Sequence, residues 1–152
     1  MANEKFVESK WFPEKRLIVT QLSGDIETRD ITQWERTLNE ALNQIEDKQT
    51  FKIIINSLGL NPGDIQTHQK YRSVVPTILA AYGWKVGYVN LFEEAADMKF
   101  STTRGIRCVA AAHVHHDAGK MGMYDTSFGN AKERYFNDLI SARNWICNLK
   151  VS

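Results

Sequence analysis

Cysteine and proline are scarce in this 152-residue chain, which holds two of the first and three of the second. Cys108 lies in an apolar run and Cys147 in a helical pattern, with no CxxC spacing. A disulfide-built scaffold is therefore not indicated, and the pair reads as reduced core residues of a cytoplasmic protein, with one disulfide between them left open. An excess of charge of one sign is missing too: 19 basic and 18 acidic residues leave a formal charge of +1. Without a block of like charge, a general electrostatic grip on nucleic acid or on an anionic membrane is not expected. No apolar run approaches the roughly 18 residues of a membrane span. The opening Met1-Ala2-Asn3-Glu4-Lys5-Phe6-Val7-Glu8 lacks the apolar core of a signal peptide. The first clear strand is followed by no glycine-rich phosphate loop, no nucleophile elbow and no cluster of acids. These absences remove the commonest nucleotide-binding and hydrolytic signatures.

What remains is an ordinary globular composition, 43% hydrophobic and 24% charged, of a length suited to one domain over residues 1–152. Residues 51–92 read strand, loop, long helix, strand. Phe51-Lys52-Ile53-Ile54-Ile55 is β-branched, Asn56-Ser57-Leu58-Gly59 ends it, and Pro62-Gly63 makes a turn. A helix follows from near Asp64, then Lys85-Val86-Gly87-Tyr88-Val89-Asn90-Leu91-Phe92 as a second strand. That order is a βαβ unit and requires a parallel pair. Along the helix, Ile65, His68, Tyr71 or Arg72, Val75, Leu79 and Tyr82 trace an inner stripe. Pro76 predicts a kink or two shorter helices, and Gly83 a stop.

Elsewhere, residues 6–12 and 16–22 form an antiparallel hairpin that Ser23-Gly24-Asp25 terminates. Ile31, Trp34, Leu38, Ala41 or Leu42 and Ile45 recur on one helical stripe, with Asp30 and Gln33 as a capping pair. Residues 93–100 suit a short helix and 101–105 a loop. Residues 106–114 are apolar on both faces, as in a central covered strand. Residues 118–130 are helix-compatible despite Gly119, Gly122 and Gly129. Residues 134–136 make a last strand, and Asp138 with Ser141 opens a helix carrying Ala142, Trp145, Ile146 and Leu149. The fold class is α/β: a mixed sheet of about five or six strands, with an N-terminal hairpin and helices packed on it.

Four stretches carry a family likeness: Leu22-Ser23-Gly24-Asp25-Ile26, Phe51-Lys52-Ile53-Ile54-Ile55-Asn56-Ser57, Arg107-Cys108-Val109-Ala110-Ala111-Ala112, and Tyr135-Phe136 ahead of Ala142-Arg143-Asn144-Trp145-Ile146. With them, residues 16–148 resemble a STAS domain of the SpoIIAA-like branch, related to bacterial anti-sigma-factor antagonists. The resemblance implies a non-catalytic regulatory module that binds another protein or senses a ligand. Phospho-switched members carry a serine or threonine at the start of the helix after the central strand. Here Leu60-Asn61-Pro62-Gly63-Asp64 offers no such acceptor, so that switch is not carried over.

One polar cluster stands out, His113-Val114-His115-His116-Asp117 at the end of a central strand. Strand parity puts His113 and His115 on one face, with Cys108 and His116 on the other. Two imidazoles at i and i+2 can bind a divalent metal, with Asp117 or His68 as further ligands. Histidines hydrogen-bonded at a strand–loop junction are the plainer alternative and the preferred one. His68 reads as a satisfied, partly buried helix residue before a ligand. Arg72 reads as a solvated helix residue before an anion fork. Asn56, Ser57 and Asn90, at strand ends, would line the same edge if the strand order allows.

Two functions follow. The first is a regulatory or protein-interaction module. Its partner is another protein, self-association through an early edge strand at Trp11 and Phe12 included. The second is a small-ligand or metal-binding protein, a hydrolase included, built on residues 113–117. Neither implies a cofactor.

Overall fold

A computed structural model describes residues 4–88 and 99–150. In chain order they form β1 (Phe6–Phe12), β2 (Leu17–Ile26), α1 (Thr28–Leu42), β3 (Thr50–Asn56), β4 (Leu60–Pro62), α2 (Ile65–Ala80), β5 (Arg107–Val114), α3 (Ala118–Phe128), β6 (Glu133–Phe136) and α4 (Leu139–Asn148). The six strands make one mixed sheet in the order β1-β2-β3-β5-β6, with β4 beside β2. Only β1 runs antiparallel; the other pairings are parallel, so β3, β5 and β6 end at one edge. The α/β class and the hairpin follow the sequence reading. No helix among the described residues is long and apolar enough to cross a membrane.

The two faces of the sheet are filled differently. On one, Ile18, Leu22, Phe51, Ile53, Cys108 and Ala111 meet Ile31, Trp34 and Leu38 of α1 and Val75 and Leu79 of α2. On the other, Leu17, Ile54, Ala110, Ala112 and Val114 meet Ala142 and Ile146 of α4. Each large aliphatic side chain so buried contributes about 1.5–3 kcal/mol. Trp34 is wholly buried and donates its indole N–H to Thr20 Oγ1 at 2.6 Å.

Several boundaries differ from the sequence reading, each for a physical reason. The strand expected at residues 85–92 does not form over residues 85–88, and residues 89–92 lie outside the described residues. The place beside β3 belongs instead to β5, whose apolar run supplies both buried faces, so the parallel crossover is β3–α2–β5. The helix expected at 93–100 lies mostly outside the described residues. Ser23-Gly24-Asp25 does not stop β2, which continues to Ile26 by pairing with β4, and Pro62 of the expected turn is itself in β4. Gly24 permits this: its φ is 93°, and a Cβ there would sit 2.4 Å from the Glu4 carbonyl oxygen. The cap of α1 is Glu27, which accepts from the backbone N–H of Asp30 while Asp30 accepts from that of Glu27. Ile65, expected on the inner stripe, is 76% exposed. Pro76 lies inside one continuous α2. Both cysteines are free, and Cys147 is exposed, not core. Trp145 is half-buried against Phe136.

The strand parity of β5 also needs correction. Its register steps at Val109: Phe51 pairs with Cys108, but Lys52 pairs with Ala110. This bulge puts Cys108 on the same face as Ala111 and His113, not opposite them.

Candidate functional site

The parallel strands end together, and α2 and α3 overhang that edge without filling it. The hollow measures about 200 Å³. The reason lies in α3, whose Ala118-Gly119-Lys120-Met121-Gly122 start supplies one buried side chain, Met121. Ser57 and Ile55 of the β3 end, His68, Tyr71 and Arg72 of α2, His113 and His115 of the β5 end, Lys120 and Tyr124 of α3, Tyr135 and Tyr88 surround it.

Beneath the hollow lies a buried polar cluster. His113 Nε2 is 2.7 Å from Glu133 Oε2, and Glu133 is only 1% exposed. The carboxylate also accepts from the Gly87 backbone N–H at 3.1 Å and from the Tyr135 hydroxyl at 3.4 Å. A buried carboxylate needs such partners, since an uncompensated charge there costs several kcal/mol. The ring of Tyr135 stacks on His113 with centroids 4.5 Å apart, and Tyr88 meets His113 edge-on at 5.6 Å. Burial raises the Tyr88 and Tyr135 phenols far above their ordinary range, with Glu133 adding to it. Both hydroxyls are therefore neutral. Ser57 Oγ lies 2.7 Å from the Tyr71 hydroxyl, whose pKa burial also raises. Asp125 of α3 holds β6 in place, accepting two bonds from Arg134 at 2.8 and 2.9 Å and one from the Tyr135 N–H.

The rim is basic. Burial lowers the pKa of His68, and the charges of Lys120 and Arg72 lower it further. Burial pushes His115 down to about 4, with His116 and Lys120 adding repulsion. The Asp117 backbone N–H donates to His115 Nδ1 at 3.0 Å, a bond only the neutral ring accepts. Two cations and two neutral imidazoles thus face one cavity.

The structure brings together five of the residues the sequence singled out: Ser57, His68, Arg72, His113 and His115. Three stand elsewhere. Asn56 follows the parity of Ile54 and accepts the Leu58 N–H. His116 accepts the Gly59 N–H on the exposed side, its ring stacked on His115. Asp117 caps α3 by accepting the Lys120 N–H. Asn90 lies outside the described residues. Each of His113 and His115 commits a ring nitrogen to a protein partner, and no three His, Cys, Asp or Glu side chains among the described residues converge as a metal set. Glu133 and Tyr135 were missed as site residues. Their spacing of two across a strand beginning at Glu133 was the available signal.

No family model, curated protein or solved structure matches the chain.

Proposed function

We propose that this chain is a non-catalytic regulatory module that binds a small organic anion at the carboxyl edge of β3 and β5. The observation that carries the reading is the hollow itself, floored by tyrosines and rimmed by His68, Arg72, His115 and Lys120. Open α/β sheets bind ligands at this edge, and concave sites with a few convergent polar groups are the usual form. A carboxylate or phosphate group relieves the mutual repulsion of the rim, and a flat apolar body lies against Tyr71 and Tyr124. The element order also suits the STAS-like reading, in which ligand occupancy is relayed to another protein. Glu133 points toward binding rather than hydrolysis: three donors already hold it as an acceptor, so it is poorly placed to activate water.

Calorimetric titration with phenyl phosphate and with benzoate tests this reading. Binding is expected, weakened about tenfold or more in an Arg72→Gln, Lys120→Ala variant. The same solutions, assayed for inorganic phosphate, should show none released. Absence of heat and of thermal stabilisation with both probes ends the reading.

A further inference from the structure

The edge of the sheet opposite the pocket carries a sequence that is complementary to itself. β1 reads Phe6-Val7-Glu8-Ser9-Lys10-Trp11-Phe12 and pairs with β2 alone among the described strands. Reversed about Ser9, the strand sets Glu8 opposite Lys10, Val7 opposite Trp11 and Phe6 opposite Phe12. We infer that β1 pairs antiparallel with the β1 of a second copy, about a two-fold axis at Ser9, and joins the two sheets into one.

The residues already face the right way. Val7 and Trp11 pack on the core beneath α1, and Ser9 Oγ lies 2.7 Å from Thr20 Oγ1 and 3.0 Å from Thr37 Oγ1. Phe6, Glu8 and Lys10 are exposed, and Phe12 packs on the opposite face. In the pair, Val7 continues the α1-covered core against the partner's Trp11, while Glu8 and Lys10 form two cross-strand ion pairs on the other face. Phe6, 44% exposed on its own, gains the partner's Phe12.

Charge also selects the register. A slip of one residue inverts the two faces. Moving the axis to Glu8 sets Glu8 against the partner's Glu8, and moving it to Lys10 sets Lys10 against the partner's Lys10. Of these three axes, only the one at Ser9 sets Glu8 against Lys10. The other edge offers no equivalent, because β6 has four residues and the Asn130 N–H already donates to the Glu133 carbonyl. An edge strand whose outer side pairs with no other described strand is a template for pairing, and here its sequence specifies a copy of itself.

Sedimentation velocity over a dilution series reads this directly on the wild-type chain, Glu8→Lys, Lys10→Glu and an equimolar mixture of the two variants. The wild type should dimerise. Each single variant opposes like charges twice and should dissociate about tenfold more readily or worse. The mixture should recover dimer, since one variant supplies two lysines and the other two glutamates. The double variant Glu8→Lys, Lys10→Glu restores both pairs and keeps the test decisive if one single variant folds poorly. A wild-type chain that stays monomeric, or single variants that dimerise as the wild type does, overturns the inference.

Discussion

α1 and α3 cover the same face of one sheet in opposite ways. α1 lays Ile31, Trp34, Leu38, Ala41 and Leu42 onto β1 and β2, all buried, in an aliphatic and aromatic interior. α3 brings only Met121 to full burial, and beneath it lie His113, Glu133 and Tyr135 beside a hollow. Hydrophobic burial therefore stabilises the α1 half, whereas the α3 half is held by satisfied polar groups and the Asp125–Arg134 clamp. Each half should fail in its own manner.

The largest expected effect is in the filled half. Trp34→Ala removes a wholly buried indole, its bond to Thr20 and its stacking on Tyr71, and should cost about 3–5 kcal/mol in urea denaturation. Met121 borders the hollow and has fewer packing partners on that side, so Met121→Ala should cost no more than about 2 kcal/mol. Equal losses would mean that the two halves are packed alike. Next comes the buried pair. Glu133→Ala strands His113, the Gly87 N–H and the Tyr135 hydroxyl, for a loss of about 3 kcal/mol, while Glu133→Gln keeps an acceptor and should cost about 1 kcal/mol. If the two variants proved equally stable, Glu133 would not be the centre of the polar cluster.

This contrast also separates what was legible in the sequence from what was not. Ile31, Trp34 and Leu38 announce α1 because a helix on a flat sheet must repeat its apolar residues every three or four positions. The apolar run of β5 announced a covered strand in the same way. Residues 85–88 look like a strand by composition, yet strand pairing is decided by competition for a neighbour, and β5 won the place beside β3. The bulge at Val109 has no local signature, so the shared face of Cys108 and His113 could not be read from alternation. His68, Arg72, His113 and His115 are legible as candidates because ionisable residues at strand ends and on apolar stripes stand out, while their meeting around one hollow is not. Glu133 was missed because its role depends on a partner twenty residues away, reached only through the parallel pairing of β5 and β6.

The smallest expected effect is a pH dependence that belongs to the hollow half. His115 titrates near 4 in the fold against 6.5 ordinarily, chiefly because it is buried, and its Nδ1 must stay unprotonated to accept the Asp117 N–H. Between those values the unfolded chain holds a proton that the folded chain does not, so stability rises with pH across the window and falls on acidification through it. His68, lowered by burial, Lys120 and Arg72, contributes with the same sign. With His115 only partly buried, solvent screening reduces its share to about 1 kcal/mol. On the α1 side, burial raises the Asp30 carboxyl, but bonds from the Glu27 N–H and Lys5 outweigh it and hold the pKa below 3.8. Its stability is present above that range and is lost only at more acid pH, so acidification from pH 6.5 to 4 reports the hollow end. Denaturation at steps across this window should show the slope in the wild type and a flatter one in His115→Asn, whose side-chain oxygen can still accept the Asp117 N–H but does not titrate. An unchanged slope in that variant would place the titration elsewhere, and the two halves would then share one electrostatic response.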